Sequence, residues 1–218
     1  SHFPNTHAIR VSNNIDDLLQ FKLPVEIVKE WSEMFKAGLN DLQLAAVNEY
    51  RILDGESLLV IAPTSSGKTF IGELAGTHAI VEGRKAVFLL PYRALVNEKF
   101  DQFYELYEKK LGYKVVRCTG DYQDQNEEFI KGKYDIALLT YEMFLNLSVA
   151  IPNVLNNIGL VVLDEAQFIT DPMRGITVEL LLTFLLVSRT RGINPQLIVL
   201  SAVIGDSNHF EEWLGCKK

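Results

Sequence analysis

Lys68 and Thr69 close the stretch "APTSSGKT" (62–69), directly after the aliphatic run "LLVI". A lysine placed there can reach the β- and γ-phosphates of a nucleotide, and the threonine hydroxyl beside it can ligate Mg²⁺. Gly67 lets the backbone turn close against a phosphate. The amides that follow open a helix, whose N-terminal dipole favours negative charge. Thr64, Ser65, Ser66, Gly67, Lys68 and Thr69 are therefore the expected phosphate loop, although Ala62 stands where the usual pattern has its first glycine. An ordinary strand-to-helix turn would explain the serines and the glycine, but not a lysine followed by threonine. A second group of residues supplies what this loop lacks. After four aliphatic residues, "LVVLDEAQ" delivers Asp164 and Glu165 to a strand end. Asp164 can hold Mg²⁺ through water, and Glu165 can polarise an attacking water, which makes Lys68 and Glu165 the expected catalytic pair. Two acids at a helix start could also be plain dipole partners. Beside a phosphate loop, the metal and water roles explain more.

These groups need a scaffold that brings distant segments to one place. Six short and nearly continuous apolar runs alternate with helical patterns: "SLLVIA" (57–62), "KAVFLLP" (85–91), "KVVRCT" (114–119), "YDIALLT" (134–140), "IGLVVLDE" (158–165) and "PQLIVLSA" (195–202). Runs apolar at every position read as strands buried on both faces, which is the signature of a parallel sheet. Helical spacing is expected over 23–35, ended by Gly38, again over 40–53, and in "FDQFYELYEKK" with Phe100, Phe103, Tyr104 and Tyr107 on one face. The fold class is thus α/β, a doubly wound parallel sheet, with residues 1–40 as a helical lead-in and 41–218 as the nucleotide-binding domain. In such sheets ligands collect beyond the carboxyl ends of the strands. The polar clusters "PTSSGKT", "PYRAL", "CTGD", "TYE", "DEAQ" and "SAV" should therefore share one edge.

Composition narrows the partners. The chain has 218 residues, 48% of them hydrophobic, enough for one good core. Its net charge is −7, so a polyanion would have to bind a local patch. Only Cys118 and Cys216 are present, which points away from a secreted disulfide framework and toward a reducing cytoplasmic or nuclear compartment. No stretch approaches the roughly 20 apolar residues of a membrane span. His2, His7, His78 and His209 form no metal-ligand spacing with either cysteine, and Trp31 and Trp213 read as packing. The chain starts without Met at "SHFPNT", which suggests a piece of a longer protein.

The ordered set of clusters resembles the superfamily 2 helicases. "APTSSGKT" is similar to their motif I, "PYRALVNEK" to motif Ia, "TGDY" and "TYEM" to the middle nucleic-acid motifs, "DEAQ" to motif II and "SAV" to motif III. The stretch "LPVEIVKEWSEMFKAGLNDLQLAAV", the "RGITVE" after motif II and the tail "LIVLSAVIGDSNHFEEWLG" resemble the superkiller-type and archaeal repair branch. This resemblance implies a RecA-like motor lobe using ATP and Mg²⁺, with Gln43 reading adenine. It also implies contacts to the sugar-phosphate backbone of a DNA or RNA single strand from Pro91, Arg93, Thr119, Gly120, Thr140 and Glu142. Such contacts position a strand without reading its sequence, and a handful of them is compatible with an acidic protein.

A second RecA-like lobe of the same chain is implied as well, supplying arginine to the γ-phosphate. An arginine of that kind is worth roughly 10³ to 10⁵ in rate, so this lobe alone is expected to bind nucleotide and barely hydrolyse it. Gln167, Ser201 and Ala202 fall at positions that the resemblance implies couple hydrolysis to strand movement. Two residues depart from the family pattern there: Gln167 replaces a usual histidine and Val203 a usual threonine. Gln167 keeps a donor and an acceptor, whereas Val203 has neither. A non-catalytic, ATP-gated scaffold is therefore the rival reading. A small-molecule kinase is a further one, although no arginine-rich lid is visible for it.

Overall fold

Each apolar run becomes a strand because both of its faces are covered. The computed structural model describes residues 9–120, 123–170 and 175–202. Val203, Trp213, Cys216, His2, His7 and His209 lie outside the described residues, as do Asp121 and Tyr122 of "TGDY" and Arg174 of "RGITVE". The strands are β1 (Leu58–Ile61), β2 (Lys85–Leu90), β3 (Val115–Cys118), β4 (Ile136–Thr140), β5 (Ile158–Leu163) and β6 (Gln196–Ser201). They form one sheet in the order β1-β6-β5-β2-β4-β3, with every pairing parallel. Alternate residues of each strand feed two separate cores. Ala86, Phe88, Leu160 and Val162 enter one, and Val87, Leu89, Val161 and Leu163 enter the other.

The helices are α1 (Val25–Met34), α2 (Asp41–Asn48), α3 (Lys68–Val81), α4 (Arg93–Phe103), α5 (Gln123–Ile130), α6 (Tyr141–Ala150) and α7 (Gly175–Arg189). From β1 to β3 the chain travels one way along the sheet, and α3 and α4 bury Leu74 and Phe100 in the first core. After β3 the direction reverses, and α5, α6 and α7 bury Phe129, Phe144 and Leu181 in the second. Right-handed crossovers require that change of face. Helix α3 lies very close to the sheet. A Cβ on Gly76 would come within 2.5 Å of the Phe88 ring, so only glycine allows this approach. The N-terminal residues join the first core, where Trp31 is fully buried with its ring set edge-on to Phe70 at 5.0 Å.

Four local features depart from the periodicity. The first expected helix stops at Met34, ahead of Gly38, because Phe35 leaves helical geometry with ψ at 66°. The second stops at Asn48, and Ile52–Asp54 forms a separate 3₁₀ turn, since Arg51 between them is left-handed at φ 57°. Within the polar lead-in, Ile15–Phe21 is a 3₁₀ helix that buries Ile15, Leu18 and Phe21, at the spacing of three that suits its three residues per turn. The aromatic face that runs from α4 into the next turns is largely as expected, with Phe100, Phe103 and Tyr107 buried and Tyr104 partly so, but Tyr104–Lys110 winds as a π-helix. Among the described residues no helix is long and apolar enough to cross a membrane.

Candidate functional site

All six strands point their carboxyl ends to one edge, and their order divides that edge in two. The ends of β1, β6 and β5 lie side by side and carry the phosphate loop, Ser201–Ala202 and Asp164–Glu165. The ends of β2, β4 and β3 follow, carrying Pro91–Arg93, Thr140–Glu142 and Thr119–Gly120. The seam between the halves is the β5–β2 pairing, which continues past the strand end as Asp164 N–H donates to the Leu89 carbonyl at 3.0 Å.

In the first half the loop is held from two sides. The Ala62 N–H donates to the Ser201 carbonyl at 3.1 Å. From α2, Asn40 Nδ2 donates to the Ser66 carbonyl at 2.9 Å and Gln43 Nε2 to the Gly67 carbonyl at 3.1 Å. Because trans peptides oppose their C=O and N–H, this turns the N–H groups of Gly67 and Lys68 away from α2. Asn40 and Gln43 also cap α2 reciprocally, each side chain accepting from the other's backbone N–H at 3.0 Å. That capping box was readable as N-x-x-Q before an apolar run, yet nothing in the spacing told that it would clamp the loop. Gly67 is left-handed at φ 81°, and a Cβ there would stand 2.6 Å from Gln43 Nε2 and 2.8 Å from Asn40 Nδ2. Ser65 is left-handed too, at φ 65°. Lys68 begins α3, is only 5% exposed and donates to the Pro63 carbonyl at 3.4 Å, folding back over the loop. Thr69 beside it is exposed.

Across from the loop, Glu165 holds a left-handed backbone at φ 58°, and Asp164 Oδ1 accepts its N–H at 2.9 Å. Non-glycine residues keep such conformations when their surroundings impose them, commonly at functional sites. Gln167 Nε2 donates to Glu165 Oε2, while its Oε1 accepts the Ala202 N–H at 2.9 Å. The donor and the acceptor of this one amide thus join the end of β5 to the end of β6. Ser201 is fully buried, and its hydroxyl donates to the Ala202 carbonyl at 2.8 Å.

The second half forms an open groove of about 480 Å³ whose wall includes Pro91, Arg93, Gly120, Thr140 and Glu142. The structure thus brings together five of the six residues expected to meet a strand. Thr119 is 1% exposed and is not part of the wall. Arg93 starts α4 and reaches to within 3.3 Å of where a Gly120 Cβ would lie, so glycine leaves room for the guanidinium there. The Thr140 hydroxyl accepts the Met143 N–H at 3.3 Å as the cap of α6, and Thr140 also lines the groove. Sequence reading missed Tyr92, Met143 and Asn146 in the same wall. The last two were accessible through helical spacing from Thr140 and Glu142.

The DEAD/DEAH box helicase family matches residues 40–210. The chain belongs to that family. It is similar to the ATP-dependent DNA helicase Hel308 of Pyrococcus horikoshii, at 41% identity over 210 residues, 96% of this chain and 26% of the relative. The Hel308 of Pyrococcus abyssi is 35% identical over 210 residues, with the same two shares of 96% and 26%. That of Methanocella arvoryzae is 38% identical over 166 residues, 75% of this chain and 22% of the relative. The chain spans about a quarter of the length of these curated relatives. As a DEAD/DEAH box helicase lobe it has the RecA-like sheet that the motif order implied, and its likeness to Hel308 agrees with the archaeal repair branch.

For this helicase family member the electrostatics centre on Asp164, which is 7% exposed. Burial pushes its carboxyl above the ordinary range, and the charges of Lys99 and Lys68 oppose that shift. The donor set fits Mg²⁺: an exposed threonine hydroxyl and a buried carboxylate are hard oxygen ligands, and a nucleotide would supply further oxygens. Because the folded protein binds this proton more tightly than the unfolded chain does, stability falls as pH rises from the ordinary carboxylate value through the raised one. Asp164→Asn is therefore expected to raise the melting temperature of the ligand-free protein at neutral pH, with the gain fading as pH falls from the raised value to the ordinary carboxylate value and absent below it. Thermal denaturation across a pH series checks this, and a lower melting temperature at pH 7 would count against a penalised carboxylate.

Proposed function

We propose that this lobe binds Mg-ATP at the ends of β1, β6 and β5, grips the backbone of a single strand in the groove at the ends of β2, β4 and β3, and works as the ATP-dependent motor of a nucleic-acid helicase. The observation that carries this reading is the division of one sheet edge into a phosphate loop with an acidic pair and a polar groove, joined at the β5–β2 seam. The N–H groups of Gly67 and Lys68 and the Lys68 ammonium hold the phosphates. Thr69 and Asp164 hold Mg²⁺, which neutralises charge on the phosphates. Glu165 orients and deprotonates the attacking water. Gln43 keeps one hydrogen on Nε2 and one lone pair on Oε1 beyond its loop and cap bonds, the pair that a bidentate contact to adenine uses. Gln167 with Ser201 and Ala202 couples the acidic turn to β6. The described part of the lead-in, residues 9–40, braces the lobe from the α3 side, where Trp31 and Phe35 pack on Phe70, and a second RecA-like lobe completes turnover with an arginine. The relatives are DNA helicases by name, so DNA is the favoured strand.

Titrating labelled single-stranded DNA into the protein at several salt concentrations, with and without Mg-ATP, tests the division. Arg93→Ala should weaken strand binding whatever the base sequence, and should flatten the slope of log K against log salt by about 0.7, the value for one lost phosphate contact on a single strand. Mg-ATP affinity should stay unchanged, and Mg-GTP should bind more weakly than Mg-ATP in the unmutated protein. An unaltered salt slope would take Arg93 out of the groove's function.

A further inference from the structure

The peptide of Asp164 is tied at both ends to the elements that enter the groove. Its N–H donates to the carbonyl of Leu89, three residues before Tyr92. Its carbonyl accepts the hydroxyl of Tyr141, a fully buried residue flanked by Thr140 and Glu142 of the groove wall. Tyr92, also in that wall, sets its ring edge-on to Phe168 at 5.1 Å and 87°. Phe168 in turn closes the acidic turn by donating its N–H to the Glu165 carbonyl at 3.2 Å. Between these fixed points Glu165 holds its left-handed backbone. A buried tyrosine needs a partner for its hydroxyl, and any nearby carbonyl would meet that need. The one chosen here belongs to the residue that would hold the metal and precedes the residue that would activate water.

We propose that Tyr141 is a positioning residue that transmits occupancy of the groove to the Asp164–Glu165 turn. A strand seated against Thr140 and Glu142 fixes the start of α6, and the Tyr141 hydroxyl passes that placement to the Asp164 carbonyl and so to the direction of the Glu165 carboxyl. Tyr92 supports the same turn from the other side of the seam through Phe168. This inference rests on the functional reading above, in which the groove holds a strand and the turn serves ATP.

The test is the ratio of strand-saturated to strand-free ATP turnover in the full-length protein, with separate binding titrations for ATP and single-stranded DNA. Tyr141→Phe keeps the ring and removes the hydroxyl. Both affinities should stay within about three-fold of the unmutated values, while the turnover ratio falls at least about ten-fold, the size of effect that loss of one buried hydrogen bond can produce. Tyr107→Phe is the control, since its equally buried hydroxyl bonds to Thr77 at 2.8 Å and Glu73 at 2.9 Å. It should lower the melting temperature without changing the ratio. Should Tyr141→Phe fail to fold, Tyr92→Leu, altered at a partly exposed position, should lower the ratio at saturating strand in the same direction. An unchanged ratio in the foldable variant, or an equal fall in Tyr107→Phe, overturns the proposal while leaving the functional reading intact. Absence of ATP binding, of strand binding or of any strand stimulation in the unmutated protein overturns that reading, and the proposal with it.

Discussion

Replacing Glu165 by glutamine should cut strand-stimulated ATP turnover by at least roughly 10², the lower end of what a general base contributes. ATP and single-strand binding should remain close to wild type. The two effects separate because of where the side chain sits. Glu165 is partly buried on a backbone held by its neighbours, and its Oε2 accepts from Gln167. Glutamine is equal in size and offers an oxygen to the same donor, so the join to Ala202 survives. It cannot take a proton from water. Steady-state turnover at saturating strand, alongside nucleotide titration, measures both halves of the expectation. Turnover that survives the substitution would remove Glu165 from the chemistry. A full-length protein that binds ATP and never hydrolyses it, whatever strand is added, would instead support an ATP-gated scaffold.

Lys68→Ala should weaken Mg-ATP binding by roughly 10- to 10²-fold, since a hydrogen bond to a charged group contributes about 1.5–3 kcal/mol and each 1.4 kcal/mol is a factor of ten. The fold should persist. Lys68 is the first residue of α3, where alanine is well tolerated, and its one long bond to the Pro63 carbonyl is weak. Removing it also takes one of the two positive charges that offset the burial of Asp164, so the carboxyl should be pushed further up and Mg²⁺ held less well. Isothermal titration with Mg-ATP reads the loss, and thermal denaturation confirms that the chain is folded. Affinity equal to the unmutated protein would mean that the loop amides alone carry the phosphates.

Much of this was written in local patterns. The six strands were legible because residues such as Val87, Phe88 and Leu89 are apolar on both faces, and only a sheet covered on both sides buries every one of them. The loop 64–69 was legible as a candidate phosphate site because glycine, lysine and threonine between a strand and a helix answer to a single chemistry at short range. The groove residues Arg93, Gly120 and Thr140 could be named from motif order, though nothing in their spacing showed that they share a wall.

Strand order belongs to the tertiary structure, because parallel pairing joins segments far apart in the chain and leaves no local periodicity to reveal which neighbours meet. That order alone placed β6 between β1 and β5, put the β2 and β5 ends in contact, and so divided the edge into a half with the glycine-lysine loop and the acidic pair and a half with the polar groove. The polar contacts across it were equally out of reach. Asn40 and Gln43 clamping the loop, Gln167 reaching Ala202, and Tyr141 bonding the Asp164 carbonyl depend on side-chain directions that join residues 23 to 35 positions apart, and on a left-handed turn at Glu165 that no residue type there requires. Sequence determined which groups were available and the class of fold. Packing of the sheet and its caps decided which of them touch, since a hydrogen bond needs a few tenths of an ångström that only the assembled core sets.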